Sequence, residues 1–214
     1  MKSIPVSFPC NDLTLEGEWL IPDGDGPFPV VIVCHPHPQI GGDMFNSVSA
    51  AIWQELPEHS IAAFRFNFRG VGKSEGSYGK GLTEQGDVRA ALDFISSFPG
   101  TDNQRMGLAG YSFGAMVALQ VALKEERVIR LALVSPPLSD KNWEQLRDYR
   151  NPKLFIVGDA DNFTPADRVF EQIKDVPDPE SYQIISGADH FLVGYEAEIA
   201  RRAAKFFADG FIGI

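Results

Sequence analysis

Short apolar runs alternate with longer amphipathic stretches along most of this sequence. The runs predict strands at residues 29–34, 61–68, 106–111, 128–135, 154–157 and 181–185. The stretches between them predict helices at residues 44–56, 83–98, 113–123, 165–174 and 195–208. Two earlier β-like runs, at residues 3–8 and 13–21, predict a hairpin. Because continuous apolar strands separated by helices need cover on both faces, the pattern predicts a mostly parallel α/β sheet.

The length of the chain and the lack of a linker in its sequence favour one domain. A chain of 214 residues is long enough to bury one substantial core, and it shows no internal repeat, low-complexity tract or linker. We therefore predict a single domain over residues 1–214. The least regular stretch, residues 136–152, holds Trp143 and several charges and is the candidate for a small lid.

The charge balance restricts the partners. A formal net charge of −10 would repel phosphate backbones and anionic lipid surfaces, so we expect neither nucleic acid nor a membrane as a partner. The residues after Met1 contain no secretory apolar segment, and no run approaches the ~20 apolar residues of a membrane span. The expected location is the cytoplasm.

Two other features concern thiols and oligomeric state. Cys10 and Cys34 are too few for a disulfide framework or a cysteine-based zinc site. Cys34 ends an apolar run and is expected to be a buried thiol, with a reactive thiol beside His35 as the alternative. The apolar residues 206–207 and 211–214 are expected to pack on the chain's own sheet, with a dimer contact as the alternative, so the chain is a monomer or a homodimer.

A G-x-S-x-G motif, residues 110–114, lies directly after one predicted strand and directly before a predicted helix. This is the setting of a nucleophile elbow, a sharp turn that holds a serine above the sheet at a helix N-terminus. Glycines two positions before and after Ser112 remove Cβ atoms that would collide in such a turn. The helix dipole there favours the negative charge of acyl transfer. Ser112 is the predicted nucleophile, and an ordinary helix N-cap serine is the alternative.

A serine hydroxyl at neutral pH needs a histidine base that is oriented by a carboxylate. In α/β-hydrolases, which the motif and its setting resemble, the acid and then the histidine follow the serine along the chain, and His190 fits that order. The loop after the strand 154–157 offers two acids, Asp159 and Asp161. Asp189 is expected to be a turn residue, and Asp140 is a more distant candidate for the acid.

The loop after the strand 29–34 reads His35-Pro36-His37-Pro38. In this fold that loop gives one backbone N–H to the oxyanion, and the residue after the nucleophile gives another. Since proline has no N–H, we assign the oxyanion hole to the main-chain N–H groups of His37 and Phe113. The side chain of His35 is expected to bond loop backbone, and a metal held by His35 and His37 is the minor alternative.

A glycine-rich stretch, residues 69–76, invites comparison with a phosphate-binding loop. The P-loop pattern requires a glycine at position 67, which is Asn67. The glycines are therefore expected to shape the turn that leaves the strand 61–68. Ser74 lacks the strand-turn-helix setting of a nucleophile.

These motifs together resemble the small bacterial α/β-hydrolases related to dienelactone hydrolase. The resemblance rests on residues 35–38 with 41–42, 66–76, 110–114, 158–161 and 187–191. It implies an eight-stranded, mainly parallel sheet whose second strand is antiparallel. It also implies Asp161 as the acid, because the family's acid lies three residues after the glycine at position 158. Dienelactone hydrolases proper carry a cysteine where this chain has Ser112, so dienelactone itself is not the expected substrate.

The sequence therefore predicts a serine hydrolase that acts on small or short-chain carboxylic esters through an acyl-enzyme, with no cofactor and no metal. Ser112, His190 and Asp161 form the expected triad. One alternative is a peptidase or amidase of the prolyl oligopeptidase type, which would need an added anchor for the peptide. The other is a non-catalytic ligand-binding protein on the hydrolase fold, which usually lacks a member of the triad.

Overall fold

The computed structural model describes residues 1–177 and 179–213. Within these residues, eight strands form one sheet in the order β1-β2-β4-β3-β5-β6-β7-β8. The strands are β1 Lys2–Cys10, β2 Leu13–Ile21, β3 Phe28–Cys34, β4 Ala62–Phe66, β5 Thr101–Tyr111, β6 Val128–Val134, β7 Lys153–Gly158 and β8 Pro179–Ile185. The α-helices are α1 Ser47–Glu55, α2 Glu84–Ser96, α3 Phe113–Ala122, α4 Asp140–Leu146, α5 Ala166–Ile173 and α6 Glu196–Ile212.

The strand directions confirm the predicted sheet. β2 is antiparallel to both of its neighbours, β1 and β4, and the pairs from β4 through β8 are parallel. The predicted hairpin is the β1–β2 pair, in which Cys10 lies opposite Leu13. The parallel strands end at one edge of the sheet, so the loops after β3, β5, β7 and β8 meet there.

Alternate residues of the central strands face two separate apolar layers. Val30 and Ile32 of β3 lie in the layer with α2 and α3, whereas Val31 and Val33 lie in the layer with α1 and α6. Helices therefore cover both faces, which is why these strands read as continuous apolar runs rather than as an alternating pattern. Among the described residues, no helix combines the length and the hydropathy that crossing a membrane would require.

The segment 136–152 contains a helix that the periodicity did not predict. Ser139 caps α4 in a reciprocal capping box with Asn142. The ring of Trp143 stacks on Phe155 of β7, with centroids 5.6 Å apart, and both side chains are buried. With seven residues, α4 is too short for its apolar period to be recognised. The segment contributes to the core through Trp143 and its neighbours.

The end of the chain packs as expected. α6 continues to Ile212, four residues beyond the predicted end at 208. Phe206, Phe207 and Phe211 are buried in the layer with α1. Ile214, the last residue of the apolar C-terminal stretch, lies outside the described residues. The packing of α6 on its own sheet accounts for the aromatic residues of this stretch.

Candidate active site

Ser112 occupies the turn between β5 and α3 in a strained backbone conformation. Its φ is 52° and its ψ is −116°, backbone angles that residues other than glycine rarely adopt. A Cβ at Gly110 would overlap the backbone of Gly114 and Ala115, and one at Gly114 would overlap the carbonyls of Cys34 and His35. The two glycines are therefore required by close backbone contacts, as the motif predicts.

A chain of hydrogen bonds joins the three predicted triad residues. The Oγ of Ser112 lies 3.0 Å from Nε2 of His190. Nδ1 of His190 lies 2.8 Å from Oδ2 and 3.0 Å from Oδ1 of Asp161. Because a carboxylate only accepts, the hydrogen of the neutral ring sits on Nδ1, and Nε2 offers its lone pair to the serine hydroxyl. This is the tautomer that a general base needs.

The carboxylate of Asp161 is buried and receives several hydrogen bonds. The backbone N–H groups of Phe163 and Thr164 donate to its Oδ1, at 2.9 and 2.8 Å. Burial raises the pKa of Asp161, but the hydrogen bonds from His190 and from the Thr164 N–H outweigh it and hold this pKa below its usual value. Asp161 is therefore ionised at neutral pH and able to orient His190.

The other candidate acids have different partners. Asp159 accepts from the N–H of Gly187 at 2.7 Å and from the hydroxyl of Ser186 at 3.1 Å. Asp189 accepts from the N–H of Phe191 at 2.9 Å, which makes it a turn residue. Asp140 is exposed and pairs with Arg168 at 3.0 Å. Of these carboxylates, only that of Asp161 contacts the ring of His190.

His37 and Phe113 lie on two backbone segments that touch each other. The overlap described for Gly114 shows that the loop after β3 packs directly on the start of α3. Phe113 is the first residue of α3, so its N–H has no acceptor within the helix. The rings of His37 and Phe113 lie 5.1 Å apart. Both backbone segments predicted to supply the oxyanion hole are therefore beside Ser112.

The side chain of His37 is fixed by two hydrogen bonds. The N–H of Gln39 donates to Nδ1 at 3.2 Å, and Nε2 lies 3.0 Å from the hydroxyl of Tyr78. The neutral ring therefore carries its hydrogen on Nε2 and donates it to Tyr78. These bonds tie the loop after β3 to the loop that precedes α2.

His35, Cys34 and Ser74 are buried and take part in local structure. Nδ1 of His35 lies 2.7 Å from the Pro36 carbonyl, and Nε2 accepts from the N–H of Phe68 at 3.1 Å, so the ring bonds loop backbone as predicted. Burial raises the pKa of the Cys34 thiol, which keeps the thiol protonated and unreactive. The hydroxyl of Ser74 donates to the carbonyl of Asn67 at 2.7 Å.

Three aromatic residues around His190 were not predicted as part of the site. The hydroxyl of Tyr111 donates to the carbonyl of His190 at 2.7 Å and so fixes the loop after β8. The rings of Phe163 and Phe191 lie 4.9 and 6.0 Å from the ring of His190. Tyr111 and Phe191 are sequence neighbours of Ser112 and His190, and Phe163 lies two residues after Asp161, so closeness in sequence was the available signal. Phe163 also lines a cavity of about 280 Å³ bounded by residues 136–139 and 163–165.

Solved structures with similar sequences share this architecture. An α/β serine hydrolase homologue from Coxiella burnetii has a TM-score of 0.86 and 32% identity, over 96% of this chain and 97% of that chain. A serine hydrolase without a lid from Xanthomonas campestris has a TM-score of 0.76 and 30% identity, over 94% of this chain and 95% of that chain. Together with the elbow, these likenesses define the chain as an enzyme of the α/β-hydrolase class.

The family within that class follows from the sequence match. Residues 78–206 match the dienelactone hydrolase family. This chain belongs to the dienelactone hydrolase family. An uncharacterized protein from Rickettsia prowazekii is 32% identical over 171 residues, which cover 76% of this chain and 71% of that protein.

Proposed function

We propose that this enzyme is a serine hydrolase of small carboxylic esters, and that Ser112, His190 and Asp161 are its catalytic triad. The observation that carries the proposal is the continuous hydrogen-bonded path from the Ser112 hydroxyl through His190 to the buried carboxylate of Asp161. Nucleophile, base and orienting acid at such distances are the arrangement that acyl transfer needs.

In the first half of the reaction, Oγ of Ser112 attacks the ester carbonyl while its proton moves to Nε2 of His190. The N–H groups of His37 and Phe113 stabilise the resulting oxyanion. His190 then gives the proton to the leaving alkoxide oxygen as the bond between carbon and that oxygen breaks. An acyl-enzyme and a free alcohol result.

In the second half, water replaces the alcohol. His190 takes one proton from the water, the hydroxide attacks the acyl carbon, and the tetrahedral intermediate collapses with return of the proton to Oγ of Ser112. The products are a carboxylic acid and the regenerated serine. Asp161 stays ionised throughout and stabilises the imidazolium that forms twice in the cycle.

The surroundings of the site support a small substrate. Trp143 of the segment 136–152 is packed in the core against Phe155. A segment that packs into the core in this way leaves little apolar chain to enclose a long acyl group. We therefore expect short acyl chains to react faster than long ones.

The test is hydrolysis of p-nitrophenyl esters from acetate to palmitate by the wild type and by Ser112→Ala. Turnover that falls with chain length in the wild type and vanishes in the variant is the expected result. Higher turnover of the long-chain esters would contradict the small-substrate proposal.

A fluorophosphonate probe separates the remaining outcomes, since it labels only an activated serine. Labelling of Ser112 without ester turnover would indicate a different acyl substrate, such as the amide bond that a peptidase cleaves. Absence of labelling in the folded protein would indicate a ligand-binding protein on this fold and not an enzyme.

A further inference from the structure

Two phenylalanines stand exposed beside the histidine of the site. The side chains of Phe163 and Phe191 are 68% and 55% exposed, although each ring contacts His190. Their own centroids lie 6.4 Å apart in an edge-to-face arrangement. Single exposed apolar residues are ordinary, but here the rings of Phe163 and Phe191 form an aromatic corner beside the candidate base His190.

The proton path fixes which part of a substrate lies in this corner. The oxyanion is directed to the N–H groups of His37 and Phe113, on the side of the loop after β3. The leaving oxygen must instead come within hydrogen-bond distance of Nε2 of His190, because that nitrogen returns the proton. The group attached to this oxygen therefore lies against the side chains that flank the His190 ring.

We propose that Phe163 and Phe191 form the subsite for the alcohol part of the ester, and that this part is a neutral aromatic group. The proposal rests on the proposed ester hydrolysis and adds the chemical class of the leaving group. The two rings offer faces and edges to a third ring, the contact that aromatic groups prefer. Phe163 also borders the cavity of about 280 Å³, which adds space beside its ring.

The charges near the corner support a neutral group. Asp161 and Asp189 are on the same two loops as the phenylalanines, and the chain carries a formal net charge of −10. Arg168, which also borders the cavity, is paired with Asp140 at 3.0 Å. An anionic alcohol part would meet carboxylates here, whereas a neutral aromatic group would remove the exposed rings from water.

Esters of one acid isolate the alcohol subsite. 2-Naphthyl acetate and methyl acetate give the same acetyl-enzyme, so they share the deacylation step and differ only before the alcohol leaves. The ratio of kcat/KM in a variant to that in the wild type cancels the intrinsic reactivity of each ester.

The variant Phe163→Ala removes the ring but keeps the backbone N–H that donates to Asp161. The matched control is Phe170→Ala, because Phe170 is an exposed phenylalanine of α5 that contacts Tyr182.

We expect Phe163→Ala to lower kcat/KM for 2-naphthyl acetate by about tenfold and for methyl acetate by less than about twofold. Phe191→Ala is expected to act in the same direction, and Phe170→Ala to change neither ester. The rate of labelling by a small fluorophosphonate should stay within about twofold of the wild type in the control variant Phe170→Ala.

Two results would overturn the proposal. Equal losses for both esters in Phe163→Ala would mean that the ring only positions His190 and Asp161, and unchanged rates for both would mean that the alcohol lies elsewhere. Either result leaves the ester hydrolase intact. A wild type that hydrolyses neither ester would overturn the proposed function together with this subsite.

Discussion

Asp161 contacts His190 with both carboxylate oxygens, whereas Asp159, two residues earlier on the same loop, turns to the backbone N–H of Gly187. The two aspartates therefore have separable roles. In the proposed reaction Asp161 orients the base His190, whereas Asp159 joins the loop after β7 to the loop after β8.

Replacement of these two aspartates by asparagine should give opposite results. Asp161→Asn is expected to lower kcat by about 10³- to 10⁴-fold, because an amide can hold the histidine in the wrong tautomer. Asp159→Asn should keep kcat within about threefold and cost about 1 kcal/mol of stability through weakened hydrogen bonds. Steady-state ester hydrolysis and urea unfolding of both variants measure this. The reverse pattern would move the acid to Asp159.

His35 should make the stability of the protein depend on pH. Burial lowers the pKa of His35 from 6.5 to about 4. The contribution of the neutral His35 ring to the free energy of unfolding is therefore complete above pH 6.5. It is lost as the pH falls from 6.5 towards 4, because the unfolded chain takes up the proton at a higher pH than the folded chain. Between pH 7.5 and pH 5, we expect this one residue to account for about 2 kcal/mol.

His35→Gln is the variant that isolates this effect, because the glutamine oxygen can still accept from the N–H of Phe68. Urea unfolding of wild type and variant at pH 7.5 and pH 5 gives the difference, in which the other titrating groups cancel. A variant that loses as much stability as the wild type on acidification would show that His35 is not the group responsible.

Two glycine-to-alanine substitutions should change stability in opposite directions. At Gly114, a Cβ would overlap the carbonyls of Cys34 and His35, so Gly114→Ala should destabilise the fold by about 3 kcal/mol or more and displace the proposed oxyanion loop. At Gly86 in α2, the nearest atom lies 3.5 Å away, an ordinary contact. Gly86→Ala should therefore stabilise the protein by about 0.5–1 kcal/mol. Denaturant midpoints and ester turnover of both variants test the pair.

The C-terminal helix should contribute to the core without forming an interface. Phe207 is fully buried and packs against Gly107 and Phe211, so Phe207→Ala should cost about 3–5 kcal/mol. Ile212→Ala, at a partly exposed position, should cost less than about 1 kcal/mol. Light scattering should give the same mass for wild type and both variants under native conditions. A drop in mass on either substitution would indicate a dimer contact instead.

Local sequence patterns determine most of the secondary structure of this protein. The apolar runs and the flanking glycines of the elbow depend on hydrophobic period and on backbone freedom, which are properties of a few consecutive residues. They locate all eight strands and the helices α1, α2, α3, α5 and α6 among the described residues. The helix α4 was not predicted because its seven residues, about two turns, give too few apolar repeats, and its N-cap at Ser139 carries most of the signal.

The sequence alone indicates which types of residue make up the site, and the tertiary structure decides which of these side chains contact one another. A serine between two glycines, a histidine after the last strand and an acid between them can be identified from order along the chain. The choice between Asp159 and Asp161 comes from the sequence only by resemblance, because both fit the same loop. In the structure, the backbone N–H groups of residues 163 and 164 hold the carboxylate of Asp161, which is the one that contacts His190. The corner of Phe163 and Phe191 likewise exists only once the loops after β7 and β8 meet at the edge of the sheet, since contacts between residues far apart in sequence depend on packing and not on local propensity.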